Sequence, residues 1–193
     1  TLKATKGKKT ATSTENVVID APEQCLVQIS TEYGNITILL YDETPQHRDN
    51  FVKLVEESYY DDLLFHRVIN GFMIQGGDPN SRNAKPNASL GSGGPGYTVP
   101  AEFVDTLVHI KGALAAARTG DQINPKKASS GCQFYLVQGR PVTEDQLEKI
   151  EIRTGKKYSE TNKEKYLRYG GTPFLDHGYT VFGQVIELSL IHI

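Results

Sequence analysis

No stretch of this chain keeps apolar residues together for long; the longest uninterrupted run is ALAAA at 113–117. Runs this short, cut apart by eighteen Gly and nine Pro, cannot sustain the periodicity of a helical bundle. Nor can they cross a bilayer as a helix, which takes about 20 apolar residues. They suit short strands joined by tight turns. The pattern is clearest at residues 25–30 (CLVQIS) and 35–41 (NITILLY), which predict a β-hairpin with Gly34 closing its turn. Residues 63–69 and 72–76 predict two more strands around Asn70-Gly71, a two-residue turn signal. Residues 112–117, 134–137 and 181–187 read as further strands of small and apolar side chains. A chain of 193 residues can bury one core without staples, so a mainly β single domain is expected.

Two segments break the β pattern. Thr44 as N-cap and Pro45 at the first helical position predict a helix ending near Ser58, with Phe51, Leu54 and Val55 on its apolar face. Residues 144–168 hold six acids and seven bases. There Thr143 and Gln146 form a capping box, Gly155 stops a first helix, and Ser159 caps a second that ends at Gly170-Gly171. With only a thin apolar stripe (Leu147, Ile150), residues 142–171 read as a charged helical hairpin inserted on the domain surface and adding little core. Residues 1–22 are expected to be a flexible tail, lysine-rich at its start, and 23–193 one domain.

Several chemistries are disfavoured. With 21 Lys and Arg against 23 Asp and Glu, net charge −2, no basic field calls for nucleic acid. Cys25 and Cys132 alone make neither a disulfide scaffold nor a thiolate zinc site, and the five histidines lack metal-ligand spacing. GSGGPG at 91–96 lacks the Lys-Ser/Thr pair of a phosphate loop, and Pro95 removes a backbone donor. Asp78-Pro79-Asn80 opens like a calcium loop but continues with Asn83 and Ser89 where Gly and Glu are needed. Cys132 reads as a buried, inert thiol. No metal, no cofactor, no nucleic acid and no membrane span are expected, and the chain is expected to be a monomer.

Residues 65–78 (FHRVINGFMIQGGD) carry His66, Arg67 and Gln75 inside an apolar strand pattern. A guanidinium has five donors and cannot sit unpaired among apolar groups. The plain structural reading is an edge arginine paired with a carboxylate and a hydrogen-bonded core histidine. A functional reading gains weight from two further blocks, GCQFYLVQG at 131–139 and FLDHGYTVFG at 174–183.

Together with PAEF at 100–103, these blocks resemble the cyclophilins, the peptidyl-prolyl cis/trans isomerases, over about residues 25–187. AART at 116–119 and Phe174 are similar to the bacterial branch. The resemblance implies an eight-stranded antiparallel barrel with a filled interior, two capping helices and a substrate groove on its outside. Because the family continues past the strand at 181–187, the second helix and the closing strand are expected to be missing here. By resemblance Arg67 is the catalytic arginine, assisted by Gln75, Phe72 and Tyr135, the last at a position usually held by Phe. Met73 and Leu175 line the proline pocket, while Ala117, Arg118 and Gln133 bind the flanking residues. Phe174 stands where many members have Trp, and Tyr179 where some have His. The implied substrates are proline-containing polypeptides, unfolded or flexible, whose folding the enzyme assists. The alternative is a cyclophilin-like module that binds proline peptides without useful turnover. An exported, periplasmic location is expected, with the cytoplasm as the other possibility.

Overall fold

The computed structural model describes residues 2–4 and 24–190. Strand β1 (Leu2–Ala4) pairs with β2 (Cys25–Thr31), which turns tightly into β3 (Gly34–Leu40). Helix α1 (Pro45–Glu56) follows, then β4 (Arg67–Ile69), β5 (Met73–Gly76), β6 (Thr98–Val99), β7 (Ala113–Ala116), β8 (Ser129–Ser130) and β9 (Phe134–Val137). The helices α2 (Glu144–Thr154) and α3 (Glu160–Tyr169) precede the last strand, β10 (Val181–Leu190). Eight strands form one antiparallel sheet in the order β1-β2-β3-β10-β7-β9-β5-β4; β6 and β8 make a separate pair. The sheet curls into a half-barrel, with β1 and β4 at its two edges among the described residues.

Period-two alternation divides the apolar side chains between its two faces. Inside the curl, Val27, Ile29, Ile36, Ile38, Leu114, Phe134, Leu136 and Phe182 meet Phe51, Leu54 and Val55 of α1. Phe51 packs edge-on to Phe134 and Phe182. On the outer face, Met73, Ala113, Ala115, Tyr135, Val137 and Val181 form a second cluster. Among the described residues, no helix is long and apolar enough to cross a membrane.

The structure corrects several expectations. Thr44 sits at the N-cap of α1, but its side chain makes no capping hydrogen bond. Glu102 caps the helix instead, from 55 residues away, accepting the N–H groups of Gln46 (3.1 Å) and His47 (3.0 Å). A carboxylate there also complements the positive helix end, which a hydroxyl cannot do. Strand β4 is shorter than the predicted 63–69, because Leu64 N–H is tied to Ser81 Oγ (3.0 Å) rather than to a neighbouring strand. Ile69 pairs with Met73, so the loop at Asn70-Gly71 also takes in Phe72.

The charged hairpin has its predicted capping box, Gly155 in the left-handed region (φ 69°) and the Ser159 cap. It is not merely superficial. Leu147 and Tyr166 are fully buried and form a third apolar cluster with Val108 and Val142, while Asn162 Nδ2 donates to Asp105 O (2.8 Å). Of the predicted tail, Leu2–Ala4 forms β1, and the remaining residues lie outside those described. Leu188, Ser189 and Leu190 continue β10 opposite Ile36, Asn35 and Gly34.

Candidate active site

Strand register assembles the site. Arg67 pairs with Gln75, Gln75 with Tyr135, Tyr135 with Ala115, and Ala115 with Val181. Directly paired residues point to the same face of a sheet, so these five side chains make one row across β4, β5, β9, β7 and β10. Met73 and Val137 form the next row. The result on the outer face is an apolar shelf ending in a guanidinium. Ala117, Phe72, Leu175 and Tyr179 pack around it.

Phe72 is fixed through its backbone, its carbonyl accepting the N–H groups of Gln138 (2.9 Å) and Gly139 (3.0 Å). Its ring stacks on Phe174 at 5.8 Å, and Phe174 stays 54% exposed, forming an open outer wall. Tyr135 forms the floor. It is 4% exposed, its ring stacks parallel to His109 and meets Tyr179 edge-on, and burial holds its hydroxyl proton well above the usual tyrosine range.

The polar side of the site is a relay. Gln133 Nε2 donates to Gly91 O (3.1 Å) and Gly93 O (2.7 Å), so its Oε1 is turned to accept from Gln75 Nε2 (3.0 Å). Gln75 Oε1 in turn accepts from Arg67 Nη1 (3.3 Å). The glycine loop rejected as a phosphate site thus props the residues that orient Arg67. Asp78 anchors the loop: burial pushes its carboxyl up, but N–H groups of Gly91, Asn80 and Gly93 outweigh this and hold it below the ordinary range. Among the described residues Arg67 has no carboxylate partner, so the plain reading of an edge arginine in an ion pair does not hold. Its side chain is exposed, and among the described residues its remaining donors are unused.

Arg118 stands apart from the other predicted residues. Its Nε donates to Gly178 O and its Nη1 to Thr119 O (2.9 Å). The guanidinium also pairs with Asp121 (2.6 Å) and lies over the Tyr179 ring at 4.6 Å. It is a clamp on the segment carrying Tyr179. His66 keeps to the margin, and burial lowers its pKa. Cys132 is buried and its thiol is pushed up by burial, in line with inertness.

Sequence reasoning missed the support beneath the floor. Asp176, Tyr158 and Tyr166 meet His109, 67 residues upstream of Asp176, behind Tyr135. Asp176 falls in the block at 174–183, but nothing in the sequence links it to His109 or to the tyrosines of the charged insertion.

The outer face thus presents an open apolar shelf with one hydrogen-bond-donating cation at its edge. The family model for cyclophilin type peptidyl-prolyl cis-trans isomerases matches residues 26–191. The chain therefore belongs to the cyclophilin-type peptidyl-prolyl cis-trans isomerases, enzymes that accelerate rotation about X-Pro bonds. A Staphylococcus epidermidis protein provisionally described as such an isomerase is 36% identical over 162 residues, 83% of this chain and 75% of that protein. A Streptococcus pyogenes protein, provisionally described as a bifunctional phosphatase and peptidyl-prolyl cis-trans isomerase, is 37% identical over 165 residues. That match takes in 83% of this chain but 31% of the streptococcal protein. Among solved structures, a cyclophilin type isomerase of Cryptosporidium parvum superposes with TM-score 0.60 at 26% identity, covering 86% of this chain and 79% of its own. The same protein in the presence of the dipeptide Ala-Pro gives TM-score 0.59 at 25% identity, covering 85% and 80%.

Proposed function

We propose that this chain turns over X-Pro bonds in flexible polypeptides at the outer-face shelf, with Arg67 as the catalytic residue. Rotation about a peptide bond faces a barrier of roughly 18–20 kcal/mol because resonance must be broken. The two X-Pro isomers differ by only about 0.5–1 kcal/mol, so the uncatalysed exchange is slow but nearly balanced. Turnover of order 10³ s⁻¹ requires lowering the barrier by about 7 kcal/mol. No covalent bond forms or breaks, so the enzyme must recognise the twisted amide better than the planar one.

Twisting localises a lone pair on the prolyl nitrogen. The unused donors of Arg67 meet it only then, which is preferential stabilisation of the transition state. Phe72, Met73, Tyr135 and Leu175 hold the proline ring and exclude water, strengthening that contact. Gln75, braced by Gln133, keeps the guanidinium in place so that little ordering is left for the reaction itself. Ala117 and Gln133 receive the neighbouring backbone, and Phe174 and Tyr179 flank the peptide. Arg118 contributes by holding Tyr179.

The observation that carries the reading is the Arg67–Gln75–Gln133 relay, which leaves further guanidinium donors facing the apolar shelf with no partner among the described residues. The test is a protease-coupled isomerisation assay on an X-Pro tetrapeptide. The observed rate should rise in proportion to protein concentration. Saturable peptide binding with no acceleration would favour the non-catalytic binding module.

A further inference from the structure

Behind the floor of the shelf runs a buried polar chain that the proposed catalysis does not use. Asp176 Oδ1 accepts from His109 Nδ1 (2.7 Å) and from the His109 backbone N–H (3.0 Å). That leaves His109 Nε2 to accept from the Tyr135 hydroxyl at 3.0 Å. The other carboxylate oxygen, Oδ2, accepts from Tyr158 (2.8 Å) and Tyr166 (2.6 Å). His109 and Tyr166 are fully buried, and the Asp176 side chain is 4% exposed. Tyr158 and Tyr166 both come from the charged insertion, and Asp176 directly follows the pocket wall Leu175.

We propose that Tyr166 is a positioning residue for the proline pocket, acting through Asp176 and His109 to fix the Tyr135 ring. The inserted hairpin is then a working part of the active face. The proposal rests on the reading that Tyr135 floors the pocket. A phenylalanine in that place would be held by packing alone. The tyrosine adds a hydroxyl that hydrogen-bonds to the relay, and buried hydrogen bonds of this kind restrict a ring to one orientation. The ring touches the prolyl group before and during rotation alike, so loosening it weakens ground-state and transition-state binding together. Uniform loss of that kind appears in KM and spares kcat.

The experiment is a double-mutant cycle with Tyr166→Phe and Tyr135→Phe, both of which keep the buried rings. KM and kcat for an X-Pro tetrapeptide are measured well below the unfolding temperature. Tyr166→Phe should raise KM about threefold with kcat essentially unchanged, the scale of a partly transmitted hydrogen-bond loss. In the Tyr135→Phe background, where the relay no longer reaches the floor, Tyr166→Phe should leave KM unaltered. A Tyr166→Phe protein with a lower Tm but unchanged KM would overturn the proposal, because only a structural role would remain. Equal KM increases in both backgrounds would overturn it too, since the coupling would then bypass Tyr135. A third variant, Tyr135→Ala, separates this outcome from failure of the underlying reading. If its KM matches that of the parent protein, Tyr135 is not the floor, and both ideas fall.

Discussion

Gln75 shows how much of the proposed chemistry depends on a residue that need not touch the reacting nitrogen. Its amide spans two roles, accepting from Arg67 and donating to Gln133, so removing it both frees the guanidinium and strands the Gln133 carbonyl. Gln75→Ala should lower kcat/KM about tenfold, the equivalent of one or two neutral hydrogen bonds. Steady-state kinetics on folded protein checks this, and an unchanged kcat/KM would mean that Arg67 needs no such orientation. That Arg67, Phe72, Met73 and Gln75 belong to one candidate site was legible in the sequence because they fall within one short motif. Tyr135 and Leu175 were legible through two others. The partnership of His109 with Asp176 was not, because a buried relay joins residues whose only common property is where the chain brings them.

The hairpin of α2 and α3 illustrates the same limit for whole elements. Its existence, caps and ends could be read from Thr143, Gln146, Gly155 and Ser159, since capping is local chemistry. Its attachment could not, because its contacts with the domain pass through single buried side chains such as Leu147 and Tyr166. Likewise, α1 was recognisable from Pro45 and its apolar spacing, but its true cap, Glu102, lies beyond any local window. Leu147→Ala should cost about 2–4 kcal/mol, the usual loss for a buried leucine. Leu167→Ala, on the exposed side of α3, should stay within about 0.5 kcal/mol. Urea unfolding of the two variants tests the contrast, and equal effects would return the hairpin to the surface role its charge suggests.

At the scale of the molecule, acid should weaken the fold. Burial lowers the pKa of His47, His66 and His177, in His47 against the opposing pull of the Glu102 carboxylate 2.6 Å away. A folded-state pKa below the unfolded one means that the unfolded chain takes up protons first. Stability is therefore complete above the ordinary histidine value, about 6.5, and drains away as pH falls below it. Asp78 and Glu102, held below the ordinary carboxyl range, extend the loss to lower pH, beginning near about pH 4. Tm measured at about pH 7.5 and about pH 5.5 should drop between the two, and the drop should shrink in His47→Gln. A flat profile would show that these histidines are protonated in the fold.

All three scales converge on one guanidinium, set at the rim of an apolar shelf by the register of five strands. The most direct test is Arg67→Ala, comparing kcat/KM for an X-Pro peptide with the Kd of the same peptide by isothermal titration. Removing a donor that acts mainly in the transition state should cut kcat/KM about a hundredfold while Kd changes less than about threefold. Equal losses in Kd and kcat/KM would contradict the account, since Arg67 would then be holding the peptide rather than its twisted bond.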